Sequence, residues 1–133
     1  MKQGFHTNII KKTSNNDDFR HVLYTANHMQ LVLMSLKPGQ DIGAEVHGNH
    51  DQFFRFESGE GEVMINHETY HVTSGDVIIV PAGAQHNVTN TSSDTPLQLY
   101  TIYAPPHHAD GTVRSTKEEA EASEPHFDGE TSE

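Results

Sequence analysis

Apolar residues in this chain recur at every second position or run unbroken for a few residues, and turn-forming residues interrupt them at short, regular intervals. That rhythm belongs to strands, not helices, and its repetition predicts an all-β sandwich or barrel. The expected strands are Arg20–Ala26, Gln30–Leu36, Gln52–Phe56, Gly61–Asn66, Thr69–Val72, Val77–Val80, Gln85–Thr89 and Leu97–Tyr103. Lys37-Pro38-Gly39-Gln40 places Pro and Gly in the middle of a turn, and Asn66-His67-Glu68 reads as a hairpin tip. Residues 1–18 are expected as an irregular arm, 19–108 as the barrel, and 109–133 as a tail with a short helix. Ser115 with Glu118, or Thr116 with Glu119, forms the capping box of that helix. Beyond Ser123 the tail is polar and expected to be mobile.

The chain has 133 residues, enough for one domain with its own core. It contains no cysteine, so disulfides and thiolate ligands are excluded and any metal must be held by nitrogen and oxygen. No apolar run follows Lys2, so no secretory leader is expected, and no stretch approaches a membrane span. A cytoplasmic protein with no membrane partner is the expectation. The net charge of -11 argues against a nucleic-acid partner. Seven of the nineteen acidic residues lie in 117–133, so the remainder is only mildly acidic. Several strands are apolar on both faces, among them Leu31-Val32-Leu33-Met34 and Val77-Ile78-Ile79-Val80. One face fills the barrel and the other also needs cover. A homodimer is the expected cover, with the N-terminal segment as the alternative.

The sharpest local signal is Gly75, Pro81, Gly83, His86 and Asn90 in fixed spacing. Gly75 permits a tight turn into a buried strand, Pro81 ends that strand, and Gly83 permits the reversal that aims His86. Asn90 can close a turn with its side chain where the strand leaves the barrel. Upstream lie Glu45, His47, Gln52 and Gly59. Glu45 and His47, two apart, point to one face of an extended segment, and Gln52, Phe54 and Phe56 share another face by the same parity.

These two groups resemble the paired motifs of the cupin superfamily, with Glu45 in the place of the first histidine and Gln52 in that of the glutamate. The resemblance covers roughly residues 43–90. It implies a double-stranded β-helix (jelly-roll) barrel and one divalent metal ion held by Glu45, His47, Gln52 and His86. Two imidazoles and a carboxylate suit iron, manganese, zinc or nickel. Gln52 is either a weak ligand or a donor to bound water. His50 could replace Glu45 if its loop folds inward, and Asp51 could displace Gln52 through a bulge. A barrel that kept its polar interior without metal is the bland alternative.

Phe54, Phe56 and Tyr103 are expected to wall a substrate pocket. His107 and His108 either stand at the barrel mouth or occupy an ordinary exposed loop. His67 and His71 are expected in solvent. The chemistry expected is a metal acting as Lewis acid on a small oxygenated substrate, with Glu45 or a rim histidine moving the proton. Resemblance to the cupin part of type II mannose-6-phosphate isomerases suggests a sugar or sugar phosphate. Arg55, the cation nearest the motifs, faces outward by parity and supplies no phosphate clamp. An iron(II) dioxygenase and a non-catalytic binding module for a sugar or small acid are the alternatives.

Overall fold

The backbone of a computed structural model, describing residues 1–133, folds into two antiparallel sheets packed face to face. Ten strands form them: β1 (Arg20–Thr25), β2 (Gln30–Leu36), β3 (Glu45–Val46), β4 (Asp51–Ser58), β5 (Glu60–Ile65), β6 (Glu68–Thr73), β7 (Val77–Val80), β8 (Gln85–Asn90), β9 (Leu97–Ala104) and β10 (Val113–Arg114). The larger sheet has the order β10-β1-β2-β9-β4-β7, and the smaller β3-β8-β5-β6. Two short helices flank them, α1 (Ile9–Ser14) and α2 (Lys117–Ala122). The expected strands are all present, and β3 and β10 are short additions.

Alternation does the sorting. On β4 the inward residues Gln52, Phe54 and Phe56 are buried while Phe53 and Arg55 are partly exposed; β8 and β9 follow the same period of two. Registers then stack the inward side chains in layers. Leu36 opposes Leu97, Met34 opposes Leu99, and Phe56 opposes the same Leu99. Val63 opposes Val88 on the other sheet. One step further along, Val32 opposes Thr101, which also opposes Phe54. At the last step Gln30 and Gln52 both oppose Tyr103, and Ile65 opposes His86. The interior is therefore apolar at one end and polar at the other, because each strand changes character at the same height.

The hairpin joining β4 to β5 depends on close backbone approach. A Cβ on Gly61 would lie 2.5 Å from the carbonyl oxygen of Thr89 and 2.8 Å from Leu97 Cδ2. Asn90 closes the apolar end: its amide donates to the carbonyls of Leu36 (3.0 Å) and Thr95 (2.9 Å), and its oxygen accepts from Ser92 N–H (2.9 Å).

The two ends of the chain carry more order than their sequences suggest. Within the arm, Asn8 caps α1 through a bond from Lys11 N–H, and the helix lies against β2, β4 and β9, where Leu33 is 2% exposed. At α2, Thr116 is the N-cap and accepts from Glu119 N–H (3.1 Å), while Glu119 reaches back to Ser115 N–H (3.0 Å). The segment after Ser123, expected to be mobile, instead lies along the barrel. Its backbone bonds run from Ala109 N–H to Pro125 C=O, from Phe127 N–H to His107 C=O, and from Ser132 N–H to Thr25 C=O. Polar composition hid this because main-chain groups and carboxylates, not apolar side chains, make the contacts.

Replacing Gly61 with Ala should destabilise the fold by about 1–3 kcal/mol, since the new methyl meets backbone on the neighbouring strand. The same change at Gly48, which has open space around it, should cost far less. Urea unfolding of the two variants checks the contrast, and equal losses would contradict it.

Candidate metal centre

Three elements bring the site together at the polar end of the barrel. Strand β3 pairs with β8 so that Glu45 stands opposite His86. His47 lies one residue beyond the end of β3, and its carbonyl accepts from Gly83 N–H (2.8 Å). Gly83, at φ +90, makes the reversal that leads into His86. The result is that Glu45, His47 and His86 each offer a ligand atom within 4.8 Å of the others. His47 Nε2 and Glu45 Oε2 are 2.8 Å apart, and the rings of His47 and His86 have centroids 5.5 Å apart. Ligand atoms at about 2.1 Å from one ion in adjacent positions stand about 3 Å from each other, so this set fits a divalent metal with little movement.

Gln52 enters from β4. Its amide donates to Thr101 Oγ1 (3.0 Å), and its Oε1 is buried without a partner. An orphaned buried acceptor is costly unless something outside the protein satisfies it. The rivals do not enter. Asp51 is exposed and accepts from Ala82 N–H (2.9 Å), and His50 Nδ1 meets the carbonyl of Pro105 (2.9 Å).

The walls follow the parity expected of them. Phe54 is buried with its ring centroid 6.1 Å from that of His86, and Phe56 stacks on Phe54 one layer deeper. Tyr103 is buried edge-on to His47, with centroids 5.9 Å apart. His107 lies closer still to His47, at 4.4 Å, and its neighbour His108 is 2% exposed. The loop that carries both is fixed by Gln30. That buried amide donates to Thr25 Oγ1 and to the carbonyl of His108, and its oxygen accepts from the N–H groups of His107 and His108. The readings of His107 and His108 as ordinary exposed loop residues are thereby set aside. His126, on the tail, completes the group through a 5.6 Å ring contact with His107. His67 and His71 are exposed.

The electrostatics of the site follow from its burial. Burial pushes Glu45 upward most strongly, but its bond to His47 and the charges of His47, Arg20 and His86 together hold the carboxyl below its usual range. Burial drives His86 down, only partly offset by the Ala84 carbonyl and Glu45. His107 is lowered to about 4, first by burial and then by the charges of His47 and His50. His108 is driven far down by burial, then by the charge of Arg20, and burial drives Tyr103 up. At neutral pH the site thus holds a carboxylate, neutral imidazoles at His86, His107 and His108, and a neutral phenol.

Two residues of this region carried no functional expectation from the sequence. Arg20 is buried at the start of β1, although it stands two positions before the core residue Val22 and shares its inward face. The period of two could have found it. His126 has no such signal, because the tail that presents it lies outside any periodic segment.

Comparison with known proteins agrees with this architecture. Residues 32–103 match the cupin domain family (Cupin_2). The chain is 48% identical over 126 residues to the uncharacterized protein YrkC of Bacillus subtilis, covering 90% of this chain and 67% of that protein. It is 41% identical over 116 residues to the uncharacterized protein L612 of Acanthamoeba polyphaga mimivirus, covering 85% and 72%. The crystal structure of BH2720 from Bacillus halodurans superposes with a TM-score of 0.88 at 43% identity, covering 91% of this chain and 96% of that one. On its fold, its paired motifs and these matches, the chain belongs to the cupin family.

Proposed function

We propose that this cupin is a metal-dependent enzyme acting on a small oxygenated substrate, with the ion held by Glu45, His47 and His86. The convergence of three ligand atoms within 4.8 Å, from segments far apart in the chain, carries the reading. The orphaned Oε1 of Gln52 supports a fourth contact, to the ion or to its water. Iron, manganese, zinc or nickel fit these donors, and a bound ion would polarise a hydroxyl or carbonyl oxygen. The protein's own groups do the remaining work. Tyr103, Phe54 and Phe56 exclude water beside the site. Glu45 has one oxygen on His47 and one without a protein hydrogen bond, so it can hold a proton taken from the substrate. His107, neutral and beside His47, can pass that proton towards the recess of about 420 Å³ at the barrel mouth between His50, Pro106 and Phe127.

Isomerisation between a hydroxyl and a carbonyl carbon is the form of this chemistry that needs nothing further. Iron(II)-dependent oxygenation is the second reading, favoured by a set of two imidazoles and one carboxylate that leaves positions open. The two separate under strict exclusion of oxygen, where turnover of the first kind survives and the second stops. If stripping the metal leaves ligand binding intact and no turnover is found, a binding module replaces both.

We also propose that the protein is a homodimer through the outer face of the larger sheet. Leu31, Ile102, Phe53 and Ile79 lie in register across four strands there, and Ile79 is 64% exposed.

Three outcomes are expected. Calorimetry should find one zinc or manganese ion per chain. His47→Ala should abolish that binding and Gln52→Ala should weaken it about 10–100-fold; full binding by His47→Ala would sink the ligand set. Ile79→Glu should yield monomers by sedimentation without loss of metal binding. Stability should fall with acid. His108 has a folded pKa below its unfolded value of about 6.5, so only the unfolded chain takes up its proton as pH drops below that value. Its contribution is complete above about 6.5 and is lost progressively below. His108→Gln should flatten the acid limb of the stability curve, and an unchanged limb would contradict this.

A further inference from the structure

Arg20 is a cation buried at the start of β1, on the inward face it shares with Val22, with a side chain 3% exposed. A guanidinium has five N–H donors in a rigid fork. One of them, on Nη1, meets Oε1 of Glu124, while Nε is buried with no partner at all. The fork is thus far from saturated, in a place where unmet donors are costly. Its partner is the weaker-held half of the pair. Glu124 belongs to no helix or strand, follows the cap of α2, and has a side chain 40% exposed.

The pair is linked to the candidate metal centre through the tail, where Phe127 N–H donates to the carbonyl of His107, whose ring centroid is 4.4 Å from that of His47. The charge of Arg20 is felt at Glu45, Tyr103 and His108, and that of Glu124 at Tyr103. Glu124 also opens the segment whose residues Pro125 and Phe127 bond to Ala109 and His107 across the barrel mouth. The other cations nearby are occupied. Lys117 pairs with Asp41 (2.6 Å), and Arg114 donates to the carbonyl of Ser123 (2.9 Å).

We propose that Arg20 anchors a carboxylate group of the substrate, and that Glu124 is an internal substitute which the substrate displaces. This deepens the reading of the barrel as a substrate site and rests on it: the substrate class becomes small carboxylic acids with a second oxygen for the metal centre. Exchange of one carboxylate for another leaves the charge of the interior unchanged, so the guanidinium is never stripped bare. An incoming acid free to rotate can take two donors of the fork where Glu124 takes one. A phosphate is disfavoured, because a single guanidinium beside the Glu45 carboxylate does not balance a dianion. Release of Glu124 would also free Pro125–Phe127 from the mouth.

Trifluoroacetate, followed by fluorine NMR on the full chain with and without zinc, tests this. Glu124→Gln removes the competing charge and should bind the acid at least about tenfold more tightly than the unaltered protein, zinc or no zinc. Arg20→Lys, which keeps the buried charge and so guards against misfolding, should bind it more weakly than the unaltered protein, and Arg20→Met should not bind it. Thermal melting establishes that each variant is folded. An affinity that is the same in Glu124→Gln and Arg20→Lys as in the unaltered protein overturns the proposal. So does binding that needs zinc and ignores both substitutions, since the acid would then sit on the metal. Failure of the metal reading leaves the zinc-free measurement standing, so the two can fail separately.

Discussion

Strand β9 is paired along its length on both sides, from Gln30–Leu36 of β2 to Asp51–Ser58 of β4, and these two ladders set the height of the side chains around them. A slip of one residue in either ladder would turn Leu97, Leu99, Thr101 and Tyr103 out of the barrel relative to their neighbours. Correct register does two jobs at once. It stacks Met34, Phe56 and Leu99 into a dry layer, and it brings Gln30, Gln52 and Tyr103 to one level above it. The site is polar where it is because the strands change from apolar to polar at matching positions, not because a loop was laid over a finished core.

That arrangement explains how much could be read from the chain. The strands were legible because most keep a period of two, as β4, β5, β7, β8 and β9 do, and β2 is an almost unbroken buried run. Gln52, Phe54 and Phe56 point inward as parity requires, and Glu45, His47 and His86 meet as the motif spacing implies. The limits have physical causes too. Pairing of β3 with β8 is a contact between segments some forty residues apart, and only its motif, not its two-residue length, announced it. Burial of His107 and His108 depends on Gln30, a polar residue whose role is fixed by where the chain returns. The tail has no periodicity, so its path could not be read at all.

Arg20 shows a different failure. Its parity with Val22 was available, yet a charged residue at the start of a strand is usually left in water. What keeps it inside is Glu124, more than a hundred residues away, together with the face of Phe19, whose ring centroid is 5.2 Å from the guanidinium carbon. A buried charge is tolerated only with its partner present. The tail is therefore part of the barrel's electrostatics, and the stretch richest in acid supplies the counter-ion for its interior.

Gln30 has a consequence for how the mouth can work. Its amide spends both protons and both lone pairs on Thr25 and on the backbone of residues 107 and 108. Moving that wall would strand three bonds in a buried place, so it behaves as a fixed jamb. The opposite edge, made by residues 124–128, hangs on a few main-chain bonds and one half-exposed carboxylate. The two edges of the mouth are thereby unequal: displacing residues 124–128 breaks main-chain bonds and one half-exposed ion pair, whereas displacing residues 107 and 108 strips a buried amide of its partners.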